Sequence, residues 1–158
     1  MRQYGQTTAP DEAVTALVFR AGTLLCALPL DEVIETMRPL DTRPLTGTPG
    51  YVRGISVLRG VPTPVIDVAR LLAGTAGDVE RYVAVRTERG PVALATGRVL
   101  GIRATDAGPA RTHPALLGGT HRLVAGVGML GSEPLLLLQS MRAVPDDVWD
   151  AAAVADVR

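Results

Sequence analysis

A chain of 158 residues has room for one ordinary core or for two very small ones sharing an interface. Its 16 basic residues, all arginine, balance 16 acidic ones, so no basic block gives a phosphate backbone an electrostatic footprint. Hydrophobic residues make up 47% but aromatics only 3%, which predicts a core of Val, Leu, Ile and Ala rather than of packed rings.

Met1 to Glu12 show no periodicity and read as a disordered lead-in without the apolar centre of a signal peptide. Val14–Phe19 and Leu24–Leu28 flank the turn Ala21-Gly22-Thr23 and predict a hairpin. Leu30, Val33, Ile34 and Met37 recur at helical spacing, with Asp31, Glu32 and Glu35 opposite, which predicts a short amphipathic helix stopped by Pro39. Arg38–Gly50 is loop-like, although Arg43–Leu45 fits a short edge strand. Next come a strand over Val52–Leu58, an Arg59-Gly60 turn, and a strand over Val61–Val68 interrupted by two prolines. Asp67 is placed to cap a short helix carrying Val68, Leu71 and Leu72.

The second half echoes the first. An offset of 66 residues lays Leu17, Phe19, Ala27, Leu28, Val33 and Ile34 on Val83, Val85, Ala93, Leu94, Val99 and Leu100. An offset of 72 lays Gly54, Ile55, Leu58, Val65 and Ile66 on Gly126, Val127, Leu130, Leu137 and Leu138. Each half thus reads as a hairpin, a helical or irregular piece, a loop, a Gly-led strand, a turn and an apolar strand. Such content suits a small closed barrel, which removes sheet edges. The expectation is one domain over 13–144, with barrels at about 13–78 and 79–144 and strands free to exchange between them. Residues 145–158 predict a short helix around Val148 and Trp149 followed by an Ala-rich tail.

Catalytic chemistry finds little footing. Cys26, the one cysteine, sits in an apolar run where a thiol is usually inert packing, and only His113 and His121 could serve it as a base. Two histidines eight apart, without a Cys pair or a His-Glu-x-x-His, predict no metal site, and no phosphate-binding loop opens a helix. No cofactor is expected. The longest apolar run, Leu123 to Gly131, is well short of the roughly 20 residues a membrane helix needs, so the chain reads as soluble and cytoplasmic. A nucleic-acid-binding small barrel is the alternative, but the five aromatics, Tyr4, Phe19, Tyr51, Tyr82 and Trp149, are scattered rather than stacked in a groove.

The stretch Val52 to Leu72 resembles the CheW-like domain of bacterial chemotaxis coupling proteins. The likeness rests on Gly54, on Leu58-Arg59-Gly60 and on Pro64-Val65-Ile66-Asp67-Val68, with an echo in Val124–Val127 and Leu135–Leu138. The resemblance covers about residues 15 to 142 and implies a mainly β fold of two SH3-like five-stranded barrels with short helices. It implies a cytoplasmic adaptor without catalysis, coupling a chemoreceptor's cytoplasmic hairpin tip to the regulatory domain of a CheA-type histidine kinase, with rings of CheW-like domains as a further assembly. Val33, Glu35 and Arg59 match the kinase-binding positions, the first two as short-helix residues. Val57, Leu58, Val65, Val127 and Leu130 are core candidates that the resemblance also offers as lining of a receptor groove between the barrels. Two departures stand out: Val57 replaces a common Asn, and Ala95-Thr96-Gly97-Arg98-Val99 stands where the family often reads Val-Asp-Gly-Val.

Overall fold

Four apolar runs, 16–19, 25–28, 82–85 and 92–95, are buried at every residue, which alternating strands with one wet face could not be. They are the middle strands of two sheets packed face to face. The computed structural model describes residues 14–105, 123–139, 144 and 146–156. The lead-in and both histidines lie outside the described residues. The elements are β1 (Val14–Ala21), β2 (Leu24–Pro29), β3 (Val33–Met37), β4 (Val52–Leu58), β5 (Val61–Asp67), α1 (Val68–Ala73), β6 (Arg81–Thr87), β7 (Gly90–Thr96), β8 (Val99–Thr105), β9 (Val124–Leu130), β10 (Glu133–Leu138) and α2 (Asp146–Asp156).

The first sheet runs β8-β1-β2-β10-β9 and the second β3-β6-β7-β5-β4. Exchanging each strand for its repeat mate, β1 for β6 through β5 for β10, turns one order into the other. The registers repeat as well. Leu17 opposite Leu28 in the first sheet becomes Val83 opposite Leu94 in the second, and Ala27 beside Leu137 becomes Ala93 beside Val65. Even the bulge where β8 meets β1 at Val18/Phe19 recurs where β3 meets β6. Each repeat therefore lends its hairpin to the sheet whose other three strands come from the other repeat, so neither sheet is contiguous in sequence.

This exchange makes three apolar layers. Leu17, Phe19, Cys26 and Leu28 face Val83, Val85, Val92 and Leu94 in the largest cluster, between the sheets. Ala16, Val18, Leu25, Ala27, Leu135 and Leu137 fill the inside of the first sheet, and Val65, Tyr82, Ala93 and Ala95 that of the second. Because side chains alternate, the middle strands serve an inner core with one face and the shared core with the other. The ladders leave each sheet open between its outer strands, β8 and β9 or β3 and β4.

Two segments differ from expectation. Residues 30–37 are a 3-10 turn, Leu30–Glu32, followed by strand β3, not an amphipathic helix. Four apolar positions over two turns are too few to fix a period, and Val33-Ile34-Glu35-Thr36, rich in β-branched residues, pairs with β6 instead. Its repeat mate Val99–Thr105 is likewise a strand, β8, where a helical or irregular piece was anticipated. In the loop, Arg43 makes a single bridge to Ile55. Gly54 is required there, since a Cβ on it would lie 1.8 Å from the Arg43 carbonyl oxygen. At the C-terminus α2 continues through the alanines to Asp156. No described helix is long and apolar enough to cross a membrane.

Candidate functional site

Arg59 stands at the tip of the β4–β5 hairpin, and the sequence makes that tip project. β5 meets β7 only over Val65–Asp67, so Val61–Pro64 pair with β4 alone. Pro62 and Pro64 lie in this half, where their missing N–H groups leave no gap in the β7 ladder. The turn itself has φ of 51° at Arg59 and 82° at Gly60, the two positive values of a type I′ turn, whose right-handed twist suits a two-residue hairpin. Among the described residues Arg59 is the one non-glycine with positive φ. Its repeat mate, Gly131, also has a positive φ, 62°, without a Cβ penalty. Holding arginine there costs conformational energy that glycine would not, which directs attention to its side chain.

That side chain forks onto Glu35. Arg59 Nε donates to Oε2 at 2.6 Å and Nη2 to Oε1 at 2.8 Å, a bidentate pair. Glu35 lies on β3 and Arg59 beyond the end of β4, so the pair spans the open seam between the outer strands of the second sheet. The Arg59 hydrogen bond holds the Glu35 carboxyl below its ordinary range, and the arginine is raised in turn. The arginine side chain is 74% exposed and the glutamate's 26%. A solvated pair of this kind contributes little to stability. It does present a forked charge at the tip of a hairpin that also exposes Val57 on one face and Val61 on the other, with exposed Ile34 preceding Glu35 on β3. In the first sheet the equivalent seam positions are Gly101 and Gly131.

Of the anticipated kinase-binding residues, Glu35 and Arg59 are brought together directly. Val33 belongs to a strand rather than to a helix, and its half-buried side chain packs on the core between the sheets. The groove set does not assemble. Val65 is fully buried in the inner core of the second sheet, and Leu58 is buried too, so neither presents a surface. Both point inward because β4 and β5 alternate in register, with Leu58 opposite Val61 and Val65 opposite Gly54. Val57 is exposed on β4, while Val127 and the half-buried Leu130 lie on β9 of the other sheet, Leu130 against the inner core. Ile34 and Val61 were missed as surface residues because a helical reading gave Ile34 a core face and an apolar run hid Val61's position beside the turn.

Other chemistry is sparse. Cys26 is buried, and burial pushes its thiol up to about 12. Among the described residues no three His, Cys, Asp or Glu side chains are grouped to hold a metal. Asp67 does cap α1, accepting from Arg70 N at 3.1 Å, and also faces Arg53 at 3.4 Å.

The doubled five-strand plan has counterparts among known proteins. The family described as CheW-like domain matches residues 15–147. The chain belongs to the CheW-like domain family. The fold is shared with the crystal structure of the scaffolding protein TtCheW from Thermoanaerobacter tengcongensis. That match has a TM-score of 0.68 and 20% identity, over 82% of this chain and 90% of the other. The CheW-like chain is also 34% identical over 73 residues to the protein FrzA of Myxococcus xanthus, covering 41% of this chain and 46% of FrzA. The match thus spans less than half of that relative's length. The architecture is therefore mainly β, two five-stranded sheets of SH3-like build with short helices.

Proposed function

We propose that this CheW-like protein is a non-catalytic adaptor of a chemotaxis-like signalling system, holding a CheA-type histidine kinase and a chemoreceptor tip in a fixed relation. The observation that carries the reading is the Arg59–Glu35 fork at the tip of a projecting hairpin, with Val57 and Val61 exposed on either face of it. A rigid planar charge bordered by apolar side chains is how interface anchors are composed, with desolvation on contact strengthening the charged pair. The kinase regulatory domain is the partner assigned to this corner. The receptor tip is assigned to β9 of the first sheet at partly exposed Val127 and Leu130, and other CheW-like domains are further partners. The membership of the family and the printed description of TtCheW as a scaffolding protein support this assignment. Each interface is expected near the standard size of about 800 Å² per partner or below it, with avidity supplied by an array rather than by single contacts.

The test is binding of a purified CheA-type kinase regulatory domain to wild type and to Arg59→Glu. The adaptor reading expects wild type to bind and the variant to lose at least about tenfold. Equal binding by both removes the role of Arg59, and absence of binding by both removes the kinase assignment. Val127→Asp, at a partly exposed position, is expected to weaken a receptor-tip peptide while sparing the kinase. Retention of a short duplex or single strand at low salt would instead favour the nucleic-acid reading, against which the site arginine stands already paired with a carboxylate.

A further inference from the structure

Both helices pack on the second sheet, α1 against β5 and β7 and α2 against β5. α1 continues from β5 of the second sheet, yet the Ala69 methyl lies 3.6 Å from where a Cβ on Gly22 would sit, at the β1–β2 turn of the first. α2 follows β10 of the first sheet and packs on β5 and on the β6–β7 turn of the second. There Gly90, at φ 132°, forms a flat seat: the Trp149 ring comes within 3.8 Å of its Cβ position. Arg89 beside it lies over the indole, 5.7 Å from the centroid, and reaches Asp146 at 3.2 Å and Asp150 at 3.4 Å. Asp146, Trp149 and Asp150 fall on one helical face, so one arginine engages a whole turn of α2.

The two anchorages differ in kind. α1 grows directly out of β5, is capped by buried Asp67 at its start and by left-handed Gly74 at its end, and buries Val68 and Ala69. α2 buries Val148 and Ala152, with Trp149 partly covered, and its polar holds are in water. The Asp146 and Asp150 side chains are 89% and 74% exposed and that of Arg89 45%. Ion pairs of that exposure are weak and are screened by salt. At 11 residues α2 is also below the length at which an isolated helix persists, about 12–15 residues, so undocking and melting are one event. Nothing comparable can happen to α1 without disrupting β5.

We infer that α2 is a releasable clasp, held to the β6–β7 turn by Arg89, which locks the second sheet to the C-terminal end of the first and opens by local unfolding to uncover the apolar surface beneath Val148 and Trp149. Adaptor function is not assumed in this, and the clasp stands or falls independently of the kinase assignment. For an element of this kind, exchange of its amides runs ahead of global unfolding.

The experiment is hydrogen exchange on the full chain, read together with the emission of Trp149, the single tryptophan. In wild type the α2 amides are expected to exchange at least ~10-fold faster than those of β6 and β7, and faster again in high salt. Arg89→Glu is expected to accelerate α2 by a further ~10-fold and shift Trp149 emission to the red, with β6 and β7 protection unchanged. The milder Asp146→Asn/Asp150→Asn variant, which leaves the turn intact, is expected to move α2 in the same direction by less. Protection of α2 equal to that of β7 in wild type overturns the inference, as does acceleration of α2 and β7 together. Unchanged α2 exchange in both variants overturns the role of Arg89.

Discussion

The repeat offsets lay Tyr82 on Ala16, Ser56 on Gly128 and Thr63 on Leu135, so two sheets with one register have unlike interiors. Among the described residues the first is filled by Ala16, Val18, Leu25, Ala27, Leu135 and Leu137, an apolar cluster held by dispersion and burial. The second contains a chain of hydroxyls. Tyr82 Oη is 2.7 Å from Thr42 Oγ1, which is 2.8 Å from Ser56 Oγ, and Ser56 donates to the Asp41 carbonyl at 2.8 Å. These bonds tie the segment after β3 into the sheet and satisfy polar groups that would otherwise be costly to bury. The seams differ in the same sense, Glu35 and Arg59 in the second sheet against Gly101 and Gly131 in the first. What the sheets share is what the fold demands; the hydroxyl chain and the Arg59–Glu35 seam are what the second adds.

Substitutions can break that comparison or sharpen it. The largest effect is expected at Gly54, a glycine with a mate in Gly126. A methyl there meets the Arg43 backbone at φ 138°, and Gly54→Ala should cost about 4 kcal/mol or more in denaturant unfolding. A loss under about 1 kcal/mol would mean that the crossing at Arg43 relaxes easily. Cys26 is expected to behave as the hydrophobe its mate Val92 is. Its thiol, raised to about 12 by burial, should resist alkylation at pH 8 until the protein unfolds, and Cys26→Val should change stability by less than about 1.5 kcal/mol. Fast labelling of the folded protein would contradict this. Tyr82→Phe, which breaks the hydroxyl chain at its buried end, should cost about 1–2 kcal/mol, whereas no cost would leave the two interiors energetically alike.

The smallest effect concerns acid. Glu35 is held below its ordinary range by Arg59, and Glu133 by Arg20, with which it forms a bidentate pair in the first sheet. A lowered folded-state value means the contribution is present above the unfolded glutamate value of about 4.3 and is lost as pH falls below it. Glu35→Gln should therefore flatten part of the decline in Tm between about pH 5 and pH 3 and leave neutral pH nearly unchanged. An equal loss at pH 7 would show the pair to be structural.

Much of this plan was legible in the sequence. The two offsets predicted which strands would correspond, because equivalent positions face equivalent layers and so keep apolar character at Leu17 and Val83 or Ile66 and Leu138. The Arg59-Gly60 turn and the Asp67 cap were readable because turn and cap chemistry are local. β3 was not, since a five-residue strand carries no reliable period and its identity is fixed by pairing with β6, 45 or more residues away in the chain. Arg59 stood out by having only a glycine as mate, but its pairing with Glu35 depends on a seam that only the folded sheet creates. Core and groove could not be told apart for a related reason: apolar character alone does not say whether Leu58 and Val65 face inward or outward, and the register turns both inward.

The most direct test gives the second sheet's turn a glycine where the first has Gly131. Arg59→Gly removes the charged fork and gives the left-handed position the residue it suits, so Tm should stay the same or rise. Calorimetric titration with the kinase regulatory domain should then show at least about tenfold weaker binding by this equally well folded variant. Wild-type affinity in Arg59→Gly would contradict the assignment of Arg59 as the contact for which the strained turn is kept.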